Sequence, residues 1–167
     1  MKKTYLAALL TLGVPLMAVA ADSPDSSFYK NAAEGGIAEV DAGNLAEQKA
    51  NSQAVKEFGA QMVKDHSAVN EKLKSLAASK DISLPTSASV GEMAEKAKLE
   101  VLSGDTFDKS YIKGQIQDHR DTIAMFKKEA SQGKDPAARA LAAATLPTLE
   151  EHMRKIDKIA AAEGVSK

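Results

Sequence analysis

Three histidines are the whole imidazole supply of this chain, and each sits among apolar residues of helical spacing. His66 falls within Val55, Phe58, Met62, Val69, Leu73 and Leu76, with Asp65 at the edge of the stripe. His119 is centred among Ile112, Ile116, Ile123 and Phe126, and His152 among Leu141, Thr145, Ile156 and Ile159. A fourth face is built of small residues, with Phe28, Ala32, Gly35, Gly36, Ala42, Gly43, Ala46 and Ala50 surrounding Glu39. Burying a carboxylate costs several kcal/mol unless it is paired or ligates a metal. Glu39, His66, His119 and His152 together form a shell suited to one divalent ion of the zinc, iron, copper or nickel type. A metal-free polar network, with Glu39 paired to protonated histidine, would satisfy the same groups. Met62, one turn before His66, would serve as a soft copper ligand or as core filler.

Other chemistries find less support. Di-iron bundle sites need Glu-x-x-His, and the residues three before the histidines are Val63, Ile116 and Leu149. No G-x-S-x-G, H-E-x-x-H or P-loop occurs, so the sequence leans away from an enzyme. A hydrolase or oxidoreductase would require a crevice beside His119. Asp65, Asp118 and Glu151 each precede a histidine, but neighbours on a helix diverge by about 100°, and these acids read as a solvated rim. With no Cys in the chain, disulfides and thiolate sites are excluded.

The elements that must position these groups are helices, because Ala, Glu, Lys, Gln and Leu abound while aromatics are only 4%. The first is expected over 26–49, ending at the turn Asn51-Ser52, and the second runs from a Ser52 cap to about Ser79. Asp81 to Pro85 breaks the pattern, and residues 89–103 form a shorter helix stopped by Gly104. A long helix follows from Asp105 or Thr106 to Gln132. The last starts with Asp135 as N-cap and Pro136 at its first position, and reaches Glu163 with Gly164 as C-cap. Pro147 should kink or split it. Hairpin, long connection, hairpin is the order of a four-helix bundle with a crossover. Aligning Phe28 with Phe107 also aligns Gly35 with Gly114 and Ile37 with Ile116, a faint echo of two related hairpins. Glu39 and His66 are equidistant from the predicted turn at 51–52, and His119 and His152 from that at 133–136. Each pair is therefore level to within about one turn, ~5 Å. How the hairpins dock, and so whether the pairs share a level, is not set by this reading.

The chain opens with Lys2 and Lys3, an apolar run from Tyr5 to Val19, and the small residues Ala18-Val19-Ala20. This is the pattern of a secretory signal peptide over 1–20, with cleavage after Ala20 or Ala21. One domain, 21–167, would remain, in the periplasm or outside the cell, with no stable membrane insertion. A net charge of −1 lacks the basic stripe of a nucleic-acid binder. The amphipathic faces leave open a homodimer through helices, and no protein partner is indicated.

Ordered along the chain are Ala33-Glu34-Gly35-Gly36-Ile37-Ala38-Glu39-Val40, Val55-Lys56-Glu57-Phe58, Met62-Val63-Lys64-Asp65-His66 and Leu84-Pro85. Phe107-Asp108-Lys109-Ser110-Tyr111, His119 and Leu146-Pro147-Thr148-Leu149-Glu150-Glu151-His152 follow. With this set the chain resembles the exported bacterial family catalogued as domain of unknown function 4142, regarded as ferritin-like. The resemblance implies a ferritin-like bundle and residence outside the cytoplasm, and no established reaction. It adds weight to Glu39, His66, His119 and His152 as a set. The expectation is an all-α bundle that binds one divalent metal ion or small ligand, in metal handling or envelope stress. The alternative is a non-enzymatic interaction or protective protein whose buried network is structural.

Overall fold

The computed structural model describes residues 25–166, and the expected signal peptide and its cleavage site lie outside the described residues. Five helices follow in order: α1 Ser26–Lys49, α2 Gln53–Ala78, α3 Val90–Glu100, α4 Gly104–Gln132 and α5 Pro136–Ala162. Four of them build a ferritin-like bundle. α1 pairs with α2 and α4 with α5, α2 lies against α5, α1 lies against α4, and α3 runs outside over α1 and α4. The start of α4 meets the α1–α2 turn, so the bundle runs up, down, down, up.

Local chemistry explains most boundaries. Asp135 caps α5 by accepting from the Ala137 N–H, and Pro136 stands at N1. At the other end of α5, Gly164 takes φ +64°, and the Val165 N–H donates to the Ala160 carbonyl, closing a Schellman motif. α3 opens with a capping box between Ser89 and Glu92. It stops at Glu100, before the expected 103. Gly104, expected as its stop, instead uses φ +57° to open α4. Pro147 does not split α5, because its ring lies on an exposed face where solvent reaches the freed carbonyl of Ala143. Ser52 precedes α2 but its hydroxyl does not cap it, donating instead to Glu163.

The small face of α1 is what lets α2 approach. A Cβ on Gly43 would lie 2.7 Å from the Gly59 carbonyl, and one on Gly59 would lie 2.7 Å from the Cβ of Ala46. The backbones therefore touch, and neither glycine can carry a side chain without separating the helices. Around this contact an upper apolar cluster gathers Ala46, Val55, Phe58, Met62, Phe107, Ile112 and Ile156. Toward the other end a second, lower cluster gathers Phe28, Tyr29, Leu73, Phe126, Ala142 and Leu149. Met62 is part of the upper cluster and fills the core.

Two carboxylates fix how the hairpins dock. Asp108, in the first turns of α4, accepts from the Asn51 N–H at 3.1 Å and the Ser52 N–H at 2.7 Å in the α1–α2 turn. At the opposite end Asp25, the residue before α1, accepts from the Lys134 and Asp135 N–H groups of the α4–α5 turn. Each hairpin's turn is thus held by an acid from the other hairpin. These four amides lie at turns, where no helix carbonyl serves them, and burial makes each bond costly to lose.

Candidate metal centre

Between the two apolar clusters the interior turns polar. His66 of α2, His119 of α4 and His152 of α5 meet there at 7%, 1% and 1% exposure, and one ring nitrogen of each lies within 4.8 Å of the other two. Phe58 covers the layer from above, with ring centroids 6.3 Å from His119 and 6.2 Å from His152.

The hydrogen-bond partners determine which nitrogens carry hydrogen. His119 Nδ1 stands 3.0 Å from the carbonyl of Gln115 and 3.5 Å from Glu39 Oε1. Both are acceptors, so Nδ1 donates and Nε2 of the neutral ring keeps its lone pair. His152 Nε2 stands 2.9 Å from Asp65 Oδ2. The acid is held below the usual carboxylate range: burial pushes it up, but the hydrogen bonds from His152 and Gln61 outweigh that. His152 Nε2 therefore donates, and its Nδ1 keeps a lone pair. These two lone-pair nitrogens face one another at 3.3 Å. His66 joins them through a ring nitrogen within 4.8 Å of theirs, and its buried Nε2 has no hydrogen-bond partner among the described residues.

Lone pairs at that distance repel unless a proton or a metal ion lies between them. Protonation is disfavoured. Burial lowers His66 to about 3, with the neighbouring His119 and His152 adding to the shift. Burial lowers His119 to about 4. His152 is lowered as well, again by burial first, with Asp65 opposing. A metal ion suits the geometry, because Zn–N bonds of about 2.0–2.1 Å place tetrahedral ligand atoms roughly 3.3–3.4 Å apart.

Glu39 reaches this layer from α1 at 5% exposure but stands behind His119, on its Nδ1 side. Its other oxygen accepts from Gln115 Nε2 at 2.6 Å. Burial raises Glu39 to about 7, against the Gln115 hydrogen bond and helped by Glu92. The four expected residues thus share one layer, with the histidines converging and the carboxylate supporting one of them. Asp65 is not solvated rim. It turns from α2 toward α5, and its partner is His152 rather than the adjacent His66. Gln115 was also not singled out in the sequence. Its position four residues before His119 on the same buried face is the one available signal. Asp118 and Glu151 are exposed, and Glu151 pairs with Lys155 on its own helix. A di-iron set does not fit, because Val63, Ile116 and Leu149 occupy the positions its carboxylates would need.

Below His66 a cavity of about 20 Å³ is walled by Glu39, Asn70, Thr122, Thr145 and Leu149. Gly36 leaves the space that Asn70 occupies, since a Cβ there would overlap the amide.

Residues 15–159 match the family model described as Domain of unknown function (DUF4142). The fold resembles a crystal structure of a DUF305 protein from Streptomyces coelicolor, with TM-score 0.74 and 17% identity over 89% of this chain and 98% of that one. It also resembles a DUF305 fragment from Deinococcus radiodurans, with TM-score 0.74 and 12% identity over 83% of this chain and 96% of that one. At such identities the likeness concerns the fold. No curated protein matches the chain. Among the described residues no helix is long and apolar enough to cross a membrane.

Proposed function

The chain belongs to the DUF4142 family, and we propose that it is an exported binding module for one divalent transition metal ion, held by His66, His119 and His152. The observation that carries this reading is the pair of facing lone-pair nitrogens, His119 Nε2 and His152 Nδ1, at 3.3 Å beside the unpartnered His66 Nε2. Metal-binding histidines commonly donate their other N–H to a carboxylate or a carbonyl. Here Asp65 receives His152, and the Gln115 carbonyl with Glu39 receives His119. Three imidazoles suit zinc, copper, nickel or iron. They leave one tetrahedral position for water or a small ligand. The role that follows is metal handling in the envelope. Export is supported by the basic and apolar pattern of residues 1–20.

The test is loading of chelator-stripped protein with Zn²⁺, Cu²⁺, Ni²⁺ and Co²⁺. One ion per chain should bind, Co²⁺ should give the intense visible bands of a tetrahedral site, and His66→Ala should lose the site. Equal metal content in parent and variant overturns the reading.

One observation favours a second reading. The Asp65 carboxylate 2.9 Å from His152 would stabilise an imidazolium sharing its other proton with His119. The layer would then be a metal-free polar network in a protective or interaction protein. Its melting temperature would ignore all four ions.

A further inference from the structure

Between α1, α3 and α4 the bundle surface opens into a groove of about 730 Å³. Glu39, Tyr111 and Gln115 form its buried wall, and Glu92, Glu95, Asp118 and Asp121 stand around it. Three lysines stand alongside: Lys96 is bound to Asp41, Lys98 to Glu95, and Lys113 lines the groove next to Gly114. Partial burial raises Asp118 to about 7, with the charges of Glu39, Glu92, Asp121 and Glu95 adding to it.

Two further atoms point to a ligand. Tyr111 Oη and Gln115 Oε1 belong to residues 1% and 2% exposed, and neither has a hydrogen-bond partner among the described residues. An amide oxygen, a hydroxyl and carboxylates form an oxygen-rich wall suited to a cation. No three of the acids come close enough to share a bare ion, because among the described residues only the three histidines do. A cation in this groove would keep its water and be held loosely.

The groove also adjoins the interior, because Gly35, Glu39 and Thr122 line both it and the cavity of about 20 Å³ at His66. Resting on the reading of the histidines as a metal centre, we propose that the groove is a vestibule. It takes a hydrated divalent cation on Asp118 and Asp121, and passes it by Glu39 and Thr122 to His66, His119 and His152. Weak holding is what a transit site requires, since an ion must leave it as readily as it arrives.

Stopped-flow uptake of Co²⁺ by the full, chelator-stripped protein tests this through the visible bands of the histidine-bound ion. Asp118 and Asp121 are exposed and touch no histidine nitrogen, so the Asp118→Asn, Asp121→Asn double variant keeps its fold. Its uptake should slow by roughly tenfold, with a flatter dependence on ionic strength. The final affinity should stay that of the parent, because release through the same path slows equally. Glu71→Gln, on exposed α2 outside the groove, should leave the rate unchanged. Parental rates in the double variant overturn the vestibule while leaving the histidine site standing. A loss of affinity equal to the loss of rate overturns it too, by making these acids part of the final site. Failure of the parent to bind Co²⁺ at all overturns the histidine reading, and the vestibule with it.

Discussion

Asp65 decides what His152 can do. Because this carboxylate takes the Nε2 hydrogen, Nδ1 faces the cluster as a bare donor toward a metal. Asp65→Asn should therefore weaken metal binding by about 10–100-fold while the helices persist, as losses of such supporting acids commonly do. Calorimetric titration with Zn²⁺ beside far-UV dichroism checks this, and undiminished affinity would remove Asp65 from the site. The metal-free protein carries an opposite pair of pH effects in the same layer. His66 and His119 fall from an ordinary 6.5 to about 3 and about 4. Unfolded chains then bind more protons than folded ones below 6.5, so stability present above that pH is lost as it falls toward 4. Glu39 rises from 4.5 to about 7, so the folded state binds the extra proton and this one group weakens the fold as pH rises from 4.5 to 7. Glu39→Gln keeps an acceptor for Gln115 and removes the second effect alone. In chelator, its melting temperature should exceed the parent's at pH 8 and fall more steeply on acidification. Parallel profiles for the two proteins would show that Glu39 does not titrate differently on folding.

The helices were legible in the sequence because their punctuation is local. Asp135-Pro136 and Gly164 act within a turn of their own positions, and the start of α5 stands where those residues place it. The four inward groups were legible for the same reason, since a side chain's face on a helix follows from its number. What the sequence hid were pairings between helices. Asp65 looked like rim because only its own helix could be read, whereas its partner comes from α5. Ser52 looked like a cap because the acid that takes its hydroxyl, Glu163, lies 111 residues away. Gly43 read as part of a small face and Gly59 was not singled out, and only the docked helices show that they meet. Gly59→Ala should destabilise the bundle by about 1–3 kcal/mol, because the new methyl must force α1 and α2 apart. Chemical denaturation with an unchanged m-value checks this. A neutral result would mean that the seam at Gly43 and Ala46 yields without cost.

Whether two level pairs become one site is a property of the whole molecule. Each hairpin brings its own pair to one height, Glu39 with His66 and His119 with His152, and a slip of one helical turn would separate the pairs by about 5.4 Å. Asp25 and Asp108 oppose that slip from the two ends, each holding the turn of the other hairpin. The clasps and the metal centre should therefore be coupled. Asp108→Ala leaves two turn amides without their acceptor and should cost about 1–3 kcal/mol in the metal-free protein. If the clasp also sets the height of the histidines, the variant binds metal more weakly, and linkage fixes the consequence. Saturating Zn²⁺ stabilises each protein according to its own affinity, so the cost of the substitution must be larger with metal than without. Each tenfold loss of affinity adds about 1.4 kcal/mol to that difference. Urea denaturation of parent and variant, each with chelator and with excess Zn²⁺, measures all four stabilities. Equal costs in the two conditions would show that the hairpins find their common level without the clasp, through the seams α1 makes with α4 and α2 with α5 alone.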